Sequence, residues 1–85
     1  MYTRKQFGLE LKEKVKKREN LEEIGCWAYA MYLDHIVENK DRELDRVLLA
    51  LQTLELGPDF AYSYVRLNEI ADDLISGKTK INLNY

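Results

Sequence analysis

The chain predicts an all-α fold, a compact four-helix bundle with a short C-terminal tail, forming a single helical domain over residues 1–85. Three observations carry that prediction. Apolar residues recur three and four apart along most of the chain, the spacing of one helix face. The stretch Ile24–Val37, IGCWAYAMYLDHIV, is apolar at eleven of fourteen positions, so a helix there is apolar nearly all round. Gly57-Pro58 and Gly77 stand where helices would stop, with Gly57-Pro58 also opening the next one.

Taken in order, Thr3 is positioned to cap a first helix reaching about Arg18. Phe7, Leu11 and Val15 form one stripe, Lys12, Lys14, Lys16, Lys17 and Arg18 crowd the last turns, and Gly8 weakens the helix. This element reads as amphipathic and peripheral. Asn20, with Glu23 three residues on, opens a second helix that runs to about Glu38. Because its apolar residues point in all directions, it is expected at the centre of the bundle with the other segments wrapped around it. Its single carboxylate-bearing sector holds Glu23, Asp34 and Glu38, with Trp27 among them. Asp41 caps a third helix carrying Leu44, Val47, Leu48, Leu51 and Leu54. The fourth helix is expected from about Pro58 to Ser76, with Phe60, Tyr64, Leu67, Ala71 and Leu74 on one face. The tail alternates Ile81, Leu83 and Tyr85 with polar residues and reads as an extended strand laid on the bundle, with a disordered tail as the alternative.

Eighty-five residues, 46% hydrophobic and 33% charged, suffice for one core without metal or disulfide staples. The one cysteine, Cys26, is expected as a small buried hydrophobe. No apolar run is long enough to cross a membrane and no signal peptide precedes the first helix, so a soluble cytoplasmic protein is expected. The net charge of −2 hides a split: residues 1–20 are basic, and residues 21–77 carry twelve Asp/Glu against four Lys/Arg. An acidic body disfavours nucleic acid and favours a cationic partner.

Catalytic signals are weak, and no enzyme is expected. Asp34-His35 lacks a second histidine, and adjacent helical side chains diverge by about 100°; His35 reads as a structural histidine. Gly77-Lys78-Thr79 lacks the earlier glycine of a phosphate-binding loop, having Asp72 in its place. Asp72-Asp73 reads as a solvated face. No cofactor or metal is implied. One surface does look built for contact: Tyr62, Val65, Glu69, Asp72 and Asp73 lie opposite the apolar face of the fourth helix. An aromatic anchor and an apolar contact within a charged rim suit a protein partner; the other reading, held level with it, is that the first helix or the tail covers Tyr62 and Val65. Asp59, Asp34 and Glu38 extend the acidic surface.

The run Leu54-Glu55-Leu56-Gly57-Pro58-Asp59-Phe60, with Ser63, Leu67, Ile70-Ala71 and Leu74-Ile75 after it, resembles the C-terminal half of small helical bacterial immunity proteins. These accompany polymorphic or contact-dependent growth inhibition toxins. The resemblance covers residues 44–77 and implies a bacterial inhibitor of a cognate toxin domain, often a basic nuclease, acting as a monomer or weak dimer. It carries over no binding residue. Two other readings stand beside it: a regulatory or nucleic-acid-associated module using Lys16, Lys17 and Arg18, and a domain that self-associates through Tyr62, Val65, Leu49 and Leu56.

Overall fold

Each helix begins where a short polar side chain can take up its first free N–H groups. The computed structural model describes residues 3–35, 41–56 and 62–83. Thr3 caps α1 (Arg4–Lys16) in a reciprocal box: its hydroxyl accepts from the Gln6 N–H, and the Gln6 side chain accepts from the Thr3 N–H. The Asn20 side chain accepts from the Glu22 N–H, 2.8 Å away, at the start of α2 (Leu21–His35). Asp41 caps α3 (Arg42–Gln52) by accepting from the Glu43 and Leu44 N–H groups, and Thr53–Leu56 continue it as a 3₁₀ turn. Ser63 caps α4 (Tyr64–Ser76). The four helices make an all-α bundle, with no strand among the described residues.

Two helix ends use the same device. After α4, Gly77 turns left-handed (φ 80°), and the Gly77 and Lys78 N–H groups bond the Leu74 and Asp73 carbonyls. After α1, Arg18 takes the left-handed conformation (φ 55°), and the Arg18 and Glu19 N–H groups bond the Val15 and Lys14 carbonyls. A non-glycine residue there costs about 1 kcal/mol.

α1 packs along α4, and α2 packs on α3 and the 3₁₀ turn. The α1–α4 seam is close because position 8 has no side chain. A Cβ on Gly8 would lie 2.9 Å from both the Ala71 carbonyl oxygen and the Leu74 Cβ. The core is one cluster that draws Phe7, Leu11 and Val15 from α1, Ile24 and Ala28 from α2, and Leu44, Val47, Leu48 and Leu51 from α3. Leu54 follows α3, Leu67, Ile70, Ala71 and Leu74 come from α4, and Tyr62 and Ile81 close the cluster. Trp27 joins the halves by stacking on Phe7, with ring centroids 4.7 Å apart.

The described part of the tail, residues 78–83, is irregular rather than a strand, and several bonds tie it to the helices. Ile81 is fully buried, and its N–H donates to Glu43 at 2.6 Å. Arg46 donates to the Ile81 carbonyl, Arg66 to the Asn82 carbonyl, and the Tyr62 hydroxyl to the Leu83 carbonyl. Arg4 bonds both Asp41 oxygens and the Lys78 carbonyl, so one guanidinium links the starts of α1 and α3 to the tail. These bonds leave marks on acidity. The Arg46 hydrogen bonds, helped by the Ile81 N–H, hold Glu43 down at about 2, against an ordinary 4.5. Hydrogen bonds from Arg4 likewise lower Asp41, and the same pairing raises Arg4.

Several expectations are corrected. α1 is not peripheral, since Phe7, Gly8 and Leu11 are buried in the α4 seam, and it ends at Lys16 rather than Arg18. α2 is not enclosed: α1 and α4 pair with each other, which leaves too few neighbours to cover it. Cys26 lies on its open side, exposed. α3 gives way to the 3₁₀ turn after Gln52. α4 begins at Tyr64 under the Ser63 cap, not at Pro58. The Gly57-Pro58 corner, Asp59, Phe60, Val37, Glu38 and Tyr85 lie outside the described residues, as do the side chains of His35, Glu55 and Leu56.

Candidate functional site

The expected patch on α4 is only partly assembled. Tyr62 precedes the helix and is buried, 3% exposed, with its hydroxyl spent on the Leu83 carbonyl. It is a core residue, not an anchor for a partner, because the tail folds over it. Val65, Glu69 and Asp72 are exposed and Asp73 is half-buried. Asp72 pairs with Lys12 of α1, however, and Asp73 with Lys78 at 3.2 Å. Arg66 and Lys78 lie among Glu69, Asp72 and Asp73 around one shallow depression, so the surface is of mixed charge. Such exposed pairs contribute little stability, but they do cancel the negative field. Glu43, Asp41, Glu19 and Glu13 are also paired, with Arg46, Arg4, Lys14 and Lys17.

The open side of α2 is different. Helical geometry places Cys26, Tyr29, Ala30 and Leu33 together, one, three and four residues apart, over about 10 Å of axis. All four are exposed; Leu33 reaches 55% and Tyr29 39%. The opposite side, Ile24 and Ala28, faces the core. Tyr29 is braced by Tyr32, their rings near parallel at 6.4 Å, and Tyr32 in turn packs against the core. Glu22 and Glu23 at one end and Asp34 at the other are exposed, and none has a cationic partner among the described residues. The result is a braced apolar strip with carboxylates at both ends. Of the described residues expected to bind a partner, only Asp34 belongs to it.

The signal for this face was present in the composition of residues 24–37. A helix apolar on every side, in a chain with three other helices, has more apolar surface than they can cover.

Among the described residues no group of three His, Cys, Asp or Glu could hold a metal, and no helix is long and apolar enough to cross a membrane. The chain matches no protein-family model, no curated protein and no solved structure.

Proposed function

We propose that this chain is a non-catalytic binding protein that receives a cationic partner on the outer face of α2. In keeping with the resemblance of residues 44–77, that partner is a toxin domain, a basic nuclease, which the chain neutralises as an immunity protein in the bacterial cytoplasm. The carrying observation is the apolar strip Cys26–Tyr29–Ala30–Leu33 ended by Glu22, Glu23 and Asp34. A nuclease cleft is cationic because it holds phosphate. These exposed carboxylates steer such a surface into contact, and Tyr29 and Leu33 supply the desolvated centre that slows release. Charge also argues for a partner of opposite sign over a second copy. Two α2 faces laid together would bring these carboxylates against their own kind, which costs association free energy.

The test is calorimetric titration against the C-terminal domain of a secreted protein encoded immediately upstream. Leu33→Asp with Tyr29→Ser should weaken binding at least about a hundredfold, the loss of a hot-spot pair. Converting Glu22, Glu23 and Asp34 to Lys should slow association most at low salt. Binding that survives both, but fails when Glu69, Asp72 and Asp73 become Lys, would move the interface to α4.

A further inference from the structure

A second surface, sharing no residue with α2, lies between α1 and α4. It is a groove of about 430 Å³ lined by Lys12, Val15, Lys16, Arg18, Tyr64, Val65 and Asn68. We propose that it receives an acidic, partly apolar segment of a partner protein, with carboxylates on Lys16 and Arg18 and an apolar side chain on Val15, Tyr64 and Val65.

Three observations support this occupant. The first is which cations are already used. Lys12, Lys14 and Lys17 pair with Asp72, Glu19 and Glu13. Lys16 and Arg18 have no acidic partner among the described residues, and both line the groove. Their positive field is therefore not cancelled by any described carboxylate.

The second is Arg18 itself. It holds the left-handed position after α1 that Gly77 fills without strain after α4. A glycine would serve the turn better, yet the arginine places its guanidinium 4.9 Å from the Tyr64 ring centroid. The Tyr64 hydroxyl donates to the Glu19 carbonyl at 2.7 Å, so ring, turn and guanidinium are held as one unit. A guanidinium beside an aromatic ring still offers a planar fork of N–H donors, the group that takes a carboxylate.

The third is the apolar content. Val65, at 71% the most exposed of the described large hydrophobic residues, lines the groove together with these cations. Such a site suits a ligand carrying both charge and grease. A nucleic-acid strand fits less well. One face of Tyr64 is taken by Arg18, which removes a stacking platform, and Glu10, Glu13 and Glu19 lie on or beside α1.

The experiment is a ¹H–¹⁵N titration of the full chain with an acetylated, amidated nonapeptide of alternating glutamate and leucine. An all-glutamate nonapeptide and a nine-nucleotide single-stranded oligothymidine form the other arms. The expected result is a set of shifts at Lys16, Arg18, Tyr64, Val65 and Asn68 with the mixed peptide. Lys16→Gln combined with Arg18→Gly should weaken that binding about tenfold, as should Val65→Asp alone. Glycine suits the Arg18 backbone, so that variant stays folded, and circular dichroism checks both. Leu33→Asp on α2 should leave this binding unchanged, which separates it from the α2 reading. Equal binding of the all-glutamate peptide, tighter binding of the oligonucleotide, unaltered binding by the variants, or no shift at millimolar peptide would each overturn the proposal.

Discussion

α1 and α2 exchange the roles their compositions suggest. α1 has one narrow apolar stripe and many charges, yet Phe7, Gly8 and Leu11 are sealed against α4. α2 is apolar nearly all round, yet Cys26, Tyr29, Ala30 and Leu33 face outward. Hydrophobicity sets what burial would gain, whereas approach distance and the number of neighbours set whether burial happens. α1 wins its place through a missing side chain at position 8. α2 exceeds the surface its neighbours can cover, and the excess is what a partner would use.

The contrast breaks most sharply at Gly8. Judged by helix propensity alone, Gly8→Ala should stabilise by about 1 kcal/mol. The seam predicts the reverse, since the new methyl meets a backbone oxygen and a Cβ at 2.9 Å. A net loss of about 2 kcal/mol is expected in urea unfolding, and more for Gly8→Val. A gain would mean that α1 and α4 separate freely. Next in size, Ile81→Ala removes a fully buried side chain that the tail contributes to the core. A loss of about 2 kcal/mol is expected, with faster amide exchange at residues 81–83.

Acid should release the same tail. The Glu43 carboxylate is held at about 2 in the folded chain against an ordinary 4.5, so between those values the unfolded chain binds more protons. The stability it contributes is complete above about 4.5 and is lost as pH falls towards 2; Asp41, lowered in the same way, adds to this trend. Stability measured against pH should decline across that window, and Glu43→Gln should flatten the decline. The smallest expected effect sharpens the comparison from the other side. Leu33→Asp, on an exposed apolar residue, should change stability by less than about 0.5 kcal/mol. A large loss would show that the face is structural rather than available.

What was legible in the sequence was what short range decides. The caps Thr3, Asp41 and Gly77 act on N–H and C=O groups within a few residues, and the stripes Phe7–Leu11–Val15 and Leu44–Leu51 follow from helical period alone. The features that stayed hidden join distant positions. The choice between an exposed Tyr62 and one covered by the tail stayed open because Leu83 lies 21 positions away; Asp72 looked unpaired because Lys12 sits on another helix. Arg18 gave no sign of a left-handed turn, since the usual mark of one is glycine or asparagine. The acidic surface was read from a count of carboxylates, and a count says nothing about which of them have met a lysine.

The stacked pair at the meeting of α1 and α2 has a practical consequence. The chain has a single tryptophan, and its indole lies on Phe7 with the Lys14 ammonium 4.8 Å from the ring centroid. All of its tryptophan emission therefore originates at one junction, between a flat hydrocarbon and a charge. A shift in that colour on dilution, heating or mixing would time the parting of the two helices, with no label attached.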